Sequence, residues 1–212
     1  MNNEELVRDT VPEYHSGNPV IRGLFTRRLD VALELGALRS DAPLDVLDLG
    51  CGAGLLLEMC RGKFPRHRYS GWDYHEAVLK LGMAGVDFKR VDLLKPETLP
   101  SRTFDRVFCL DVLEHFPALD AVMGTLRRLL KPDGLLVVSE PTESRLYQLG
   151  RLFAKGTTSS MDGPTGTPHY FNARQIHRLF LKAGYECRSR RMIPPWPIDL
   201  FHITQYGLKA SP

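Results

Sequence analysis

Residues 46–54 read Val-Leu-Asp-Leu-Gly-Cys-Gly-Ala-Gly. An apolar run ends in three glycines at alternate positions, and a leucine-rich segment with helical spacing follows at 55–61. Glycines at such a strand-to-helix junction let the backbone turn tightly and bring a ligand against the amides that open the helix. The dinucleotide spacing Gly-x-Gly-x-x-Gly would put its third glycine at position 55, which is Leu55, so the loop does not have the spacing of a nicotinamide dinucleotide site.

Short apolar runs recur at 44–49, 69–72, 86–91, 104–110 and 135–139, and they predict strands. Helical spacing at 55–61, 75–83 and 118–130 predicts helices between them. Strand and helix alternate, which predicts an α/β fold: a doubly wound, mostly parallel sheet with helices on both faces. Lys131-Pro132-Asp133-Gly134 is expected to close the third helix before the fifth strand. Further on, the spacing predicts a helix at 172–183, a strand near 185–192, a proline-broken turn at 194–197 and a last strand near 203–208.

Two regions lie outside this alternation. Residues 1–43 are expected to form an N-terminal helical cap, with a polar lead-in and a helix at 20–38. The remainder, 44–212, is expected to form the main domain. It contains an insert at about 141–170 with a short helix at 144–153 and a Gly/Ser/Thr-rich loop at 156–166, long enough to suggest a lid.

A chain of 212 residues fits one domain. Its 28 Lys and Arg against 25 Asp and Glu leave a net charge of +3, too small an excess to make nucleic acid the expected partner. No apolar run approaches the length of a membrane span, and Met1-Asn2-Asn3-Glu4-Glu5 lacks the basic and apolar character of a signal peptide. The four cysteines form no CxxC pair, which with the foregoing predicts a cytoplasmic chain with reduced thiols. Ile21, Leu24, Phe25 and Leu29 beside Arg22, Arg27 and Arg28 give the first helix a basic amphipathic pattern. Packing on the sheet is preferred there to peripheral membrane contact.

With Asp48, Gly50, Gly52 and Gly54 in place, the sequence resembles the class I S-adenosylmethionine-dependent methyltransferases. Their first motif is an acid followed by Gly-x-Gly-x-Gly. Gly71-Trp72-Asp73-Tyr74, Val91-Asp92-Leu93 and the 104–115 segment follow in the family's order, and 131–136 resembles its lead into strand five. The resemblance covers about 44–141 and implies a seven-stranded Rossmann-like sheet. It also implies S-adenosylmethionine as cofactor and S-adenosylhomocysteine as product. Asp73 would hold the ribose hydroxyls, with Tyr74 beside it, and Asp92 and Leu93 would meet the adenine. Asp48, Gly50, Cys51, Gly52, Gly54 and Leu110 would complete the cofactor site. The four acids Asp48, Asp73, Asp92 and Asp111 are expected to converge at the strand-end crevice where open parallel sheets bind ligands.

The fourth strand ends in Leu110-Asp111-Val112 and lacks the Asn/Asp-Pro-Pro-Tyr/Phe signature of enzymes that methylate planar nitrogens. Asp111, Glu114 and His115 are expected to share a helical turn, with His115 and Asp111 as catalytic residues and His115 as general base. This pattern is similar to one that binds a divalent cation in ubiquinone-pathway O-methyltransferases and small-RNA 2′-O-methyltransferases, where His169 would add a ligand. Related methyltransferases carry Leu-Glu-His without metal, and no metal is the expectation adopted. Tyr14, His15 and Arg22 in the cap, and Tyr147, His169 and Tyr170 in the insert, are the expected acceptor-side residues.

The resulting expectation is methyl transfer to a hydroxyl, less readily an amine, of a small organic metabolite. The alternatives are an RNA ribose 2′-O-methyltransferase and a non-catalytic cofactor-binding protein.

Overall fold

A computed structural model describes residues 14, 16–155, 161–162, 167–195 and 198–209. His15 and most of the loop expected at 156–166 lie outside them. The elements in chain order are α1 (Pro19–Gly36), β1 (Asp45–Leu49), α2 (Leu55–Lys63), β2 (Arg68–Asp73), β3 (Val86–Arg90), β4 (Phe104–Leu110), α3 (Asp120–Leu129) and β5 (Leu130–Pro141). They continue as α4 (Arg145–Lys155), β6 (Met161–Asp162), β7 (Thr167–Pro168), α5 (Ala173–Lys182), β8 (Tyr185–Ile193) and β9 (Phe201–Leu208).

Seven strands form one sheet in the order β3-β2-β1-β4-β5-β9-β8. β1 to β5 run parallel, and β9 is antiparallel to both β5 and β8. The short β6 and β7 pair separately within the insert. The order reverses at β1 and β4, so the crevice beyond their carboxyl ends is the topological switch point.

The sheet separates two apolar layers. On one side α3 and α5 pack Val122, Leu126, Ile176 and Phe180 against Leu47, Val107, Leu136 and Val138. On the other, α1 and α2 pack Leu29, Ala32, Leu33, Leu56 and Leu57 against Val46, Phe108, Val137 and Ile203. The first helix therefore buries its apolar face on the sheet. Gly36 permits the approach, since a Cβ there would lie 2.4 Å from Phe108 Cζ. Asn18 starts α1 by accepting from the Val20 amide at 2.9 Å with Pro19 in the first turn. Asn172 and Gln175 start α5 as a reciprocal capping box.

Two expectations are corrected. The segment 75–83 forms a short 3-10 turn, Glu76–Lys80, instead of a full helix. Its buried apolar anchors are Val78 and Leu81, and Gly82 follows at once, too little packing to sustain several helical turns. Lys131-Pro132-Asp133-Gly134 does not precede β5 but lies inside it. Phe104 pairs with Leu130 and Arg106 with Leu135, an irregularity that takes up the extra residues and tolerates a proline. Among the described residues, no helix is long and apolar enough to cross a membrane.

Candidate functional site

The glycine loop joins β1 to α2 at the switch point. Gly50, Gly52 and Gly54 all have positive φ, at 79°, 48° and 79°. These are left-handed conformations that side chains disfavour. A Cβ on Gly50 would also lie 2.3 Å from Val112 Cγ2. The loop is tied to the end of β2: the Gly50 amide donates to the Trp72 carbonyl at 2.7 Å, and the Gly52 amide to Asp73 Oδ2 at 2.9 Å. Asp73 Oδ1 accepts from the His75 amide at 2.9 Å. Each carboxylate oxygen thus holds one backbone N–H and keeps a further acceptor position.

Asp48 is buried beside this loop. Burial first, and the nearby Asp73 charge second, push its carboxyl up to about 8. The same two carboxylates and, above all, burial keep the Cys51 thiol protonated. The Val91 amide donates to the Asp73 carbonyl at 2.7 Å, which brings the segment after β3 against the end of β2. There Asp92 Oδ1 accepts from the Leu94 amide at 3.0 Å, Leu93 is buried, and Tyr74 is exposed with the Arg90 guanidinium 5.6 Å from its ring centre. Leu110, at the end of β4, is half-buried on the α1 and α2 side.

Beyond β4 the geometry departs from the sequence expectation. Asp111 has φ 55°, so the backbone turns before the short Leu113–His115 turn begins, and Asp111 does not continue a helical face with Glu114. Its carboxylate is bound by the guanidinium of Arg28, which also reaches Ser139 Oγ at 3.3 Å. Arg28 is 3% exposed and lies over the Phe201 ring at 4.0 Å and the Phe25 ring at 4.8 Å. Sequence reasoning placed Arg28 on a generic amphipathic helix and gave no signal of this pairing.

A second cluster lies between the ends of β4 and β5. The rings of His115 and His169 meet edge-on at 4.9 Å between centres. His169 Nδ1 lies 2.6 Å from Glu143 Oε1, and the Tyr170 amide donates to the Glu114 carbonyl at 2.7 Å. Glu143 was not singled out from the sequence; it too has a left-handed backbone, φ 50°. Glu114, His115 and His169 each bring one ligand atom within 4.8 Å of the others, a donor set that could hold a divalent cation.

The other residues expected on the acceptor side spread around the same edge. Tyr14 meets Phe25, Phe25 meets Phe201 and Tyr147 meets Phe201, each edge-on at 5.4 to 5.6 Å. Tyr14 and Tyr147 are therefore joined through Phe25 and Phe201. Arg22 is exposed and donates to the Ser16 carbonyl at 2.7 Å, and Tyr170 is also exposed.

Residues 22–190 match a family described as a methyltransferase domain. The ubiquinone biosynthesis O-methyltransferase of Thiobacillus denitrificans is 30% identical over 168 residues, covering 73% of this chain and 71% of that one. The (S)-coclaurine N-methyltransferase of Papaver somniferum is 27% identical over 148 residues, covering 61% of this chain and 41% of that one. The chain spans about half the length of several such relatives. The N-methyltransferase NodS of Bradyrhizobium japonicum, solved with S-adenosylhomocysteine, superposes with a TM-score of 0.69 at 14% identity, over 98% of this chain and 97% of that one. An O-methyltransferase family protein of Burkholderia thailandensis gives 0.66 at 25% identity, over 89% and 57%. With a family match across most of its length and a relative at 30% identity over two thirds or more of both chains, this chain belongs to the class I S-adenosylmethionine-dependent methyltransferases.

Proposed function

We propose that the chain transfers the methyl group of S-adenosylmethionine to a hydroxyl, less readily an amine, of a small organic acceptor. When bound, the cofactor supplies a methyl carbon on a sulfonium, open to in-line displacement by an aligned nucleophile.

The residues at the switch point fit that group. Gly50, Gly52 and Gly54 leave backbone exposed where side chains would intrude, with Cys51 between them and Leu110 at the end of neighbouring β4. Asp73, already fixed by two amides, has acceptor positions for vicinal hydroxyls, with Tyr74 beside it. Asp92 and Leu93 suit the base, and the buried Asp48 suits the cationic end of the cofactor. Tyr14, Arg22, Tyr147, His169 and Tyr170 cover the acceptor side.

The observation that carries the hydroxyl reading is the contact of His115 with His169, itself bound to Glu143. A histidine oriented by a second ring and a carboxylate suits general-base removal of a hydroxyl proton. Asp111 serves that edge by fixing Arg28 and hence α1. We retain the metal-free reading, because the carboxylate that would extend the Glu114/His115/His169 set, Asp111, is engaged by Arg28.

The test is S-adenosylhomocysteine release from the purified chain with matched phenol, catechol and amine acceptors, with and without EDTA. Turnover of hydroxyl acceptors insensitive to EDTA is expected. Turnover of amines alone overturns the acceptor, and loss with EDTA restored by metal overturns the metal-free reading.

A further inference from the structure

Helix α4 turns an apolar face outward. Leu146, Leu149 and Leu152 recur every third residue on one side of it and are 42%, 46% and 41% exposed. The helix meets the body from another side, through Tyr147 on Phe201. At about 100° per residue, Tyr147 and Leu149 stand roughly opposite each other around its axis. A surface helix ordinarily buries such a stripe. The α4 sequence also carries Arg145, Arg151 and Lys155, and residues 144–161 contain no acid.

The stripe does not stand alone. α4 leaves from the carboxyl end of β5, and two more exposed apolar side chains lie at that same edge of the sheet. Tyr170 follows the Glu114 contact and is 50% exposed. Ile198 precedes the Phe201 end of β9, which pairs with Pro141. The first turns of α1, held there by Phe25 on Phe201, add exposed Val20 and Arg22.

We propose that this edge is a docking surface for an anionic phospholipid bilayer, with α4 lying in the headgroup layer and its leucines in the acyl boundary. A leucine face on a helix whose charges are all positive is the composition that such a boundary takes up. Arg145, exposed and about 40° from Leu149 around the axis, lies beside the stripe, where anionic headgroups would meet it, whereas the same face of a second copy offers it no acid. Three half-exposed leucines also fall far short of the roughly 800 Å² per partner of a stable protein interface. Joined to the acceptor site proposed above, on which this last point rests, docking would open that site to molecules dissolved in the bilayer.

The full chain is to be sedimented with extruded vesicles of equal parts phosphatidylglycerol and phosphatidylcholine, and with vesicles of phosphatidylcholine alone. Co-sedimentation with the anionic vesicles that weakens with salt is expected, together with a loss of about tenfold or more in Leu149→Asp. Arg145→Glu reads the electrostatic part separately, and both positions are exposed, so folding is expected to survive. Failure to bind anionic vesicles, or unchanged partition in Leu149→Asp, overturns the proposal. So does a concentration-dependent dimer in ultracentrifugation that Leu149→Asp dissociates, which would make a second copy the occupant. S-adenosylhomocysteine titration of the same preparation keeps the two readings apart: a chain that binds it but not vesicles loses only the docking surface. A chain that binds vesicles but not S-adenosylhomocysteine loses only the cofactor site.

Discussion

Both edges of the central sheet, at the two ends of its parallel strands, carry carboxylates and treat them in opposite ways. At the amino edge Asp45 lies between Arg68 at 2.8 Å, Lys131 at 3.0 Å and Arg102 at 3.2 Å, and Lys131 also reaches Asp105 at 2.8 Å. The Arg68 hydrogen bond, with Lys131 and Arg102, outweighs burial and holds Asp45 well below the usual carboxylate range. At the carboxyl edge the charge acting on buried Asp48 is that of another acid, Asp73, and Asp48 is pushed up to about 8. One edge is neutralised by the chain itself. The other keeps two acids together beside a glycine loop, an arrangement that costs stability and suits a cationic ligand.

The carboxyl edge has a buried cation, Arg28, and Asp111 takes it. Arg28→Ala would leave Asp111 without its guanidinium and remove a side chain stacked on Phe25 and Phe201. Because Asp111 is 36% exposed, the cost falls toward the lower part of the range for broken buried pairs, about 3 kcal/mol. Urea denaturation measures it, with Arg68→Ala at the amino edge as the comparison. A midpoint for Arg28→Ala no lower than that of Arg68→Ala would break the contrast between a solvated network and a buried pin.

That pin also marks where sequence reading stopped. The glycine loop, Asp48 and Asp73 are legible because each sits at a strand end defined by its immediate neighbours, and local pattern fixes where a parallel strand stops. Arg28 and Asp111 lie 83 positions apart, and His169 and Glu143 are joined only when the insert folds back on the end of β5. Periodicity carries no information on such pairs. The helical turn expected to align Asp111 with Glu114 failed for a backbone reason: the left-handed φ at Asp111, a conformation that aspartate tolerates better than most side chains, broke the periodicity that the spacing implied. For α4 the spacing predicted a helix, but only the partner of Tyr147, Phe201, decides which face looks outward.

A sharper test of the carboxyl edge as a chemical site is His115→Gln. Removing a general base is expected to lower kcat about 100-fold, while S-adenosylhomocysteine affinity holds within about twofold. If affinity falls instead and kcat holds, His115 is part of the scaffold, and the imidazole cluster belongs with the ion-pair network as structure.

Asp48 supplies the pH dependence. In the free chain it remains protonated below about 8, whereas a bound cation favours the carboxylate. Binding of S-adenosylmethionine should therefore release a proton and tighten by up to about tenfold per pH unit, levelling off near 8. Calorimetry in buffers of different ionisation enthalpy reads the proton directly, and flat affinity from pH 6 to 8 would remove Asp48 from contact with the cationic end. Stability runs the other way. A folded pKa above the unfolded value means that stability falls as pH rises from about 4 to about 8, so Asp48→Asn should raise Tm at pH 7 while weakening binding.

The smallest of these effects concerns Asp73, which ties the glycine loop to the end of β2 and is proposed to meet the ribose. Asp73 accepts from the Gly52 and His75 amides, so Asp73→Ala removes both the proposed ribose contact and the tether that shapes the loop. Charge-assisted hydrogen bonds are worth about 1.5–3 kcal/mol, which predicts S-adenosylhomocysteine binding weaker by about tenfold or more. Asp73→Asn separates the two contributions. Asparagine keeps an acceptor for one amide and loses the charge, and so should fall between wild type and alanine. Adenine alone, which does not need the ribose contact, should be affected by Asp73→Ala only through the loop. If adenine binding falls as far as S-adenosylhomocysteine binding, Asp73 acts by shaping the glycine turn. Its pairing with Asp48 would then be a structural cost alone, and the electrostatic contrast between the edges would lose its functional meaning.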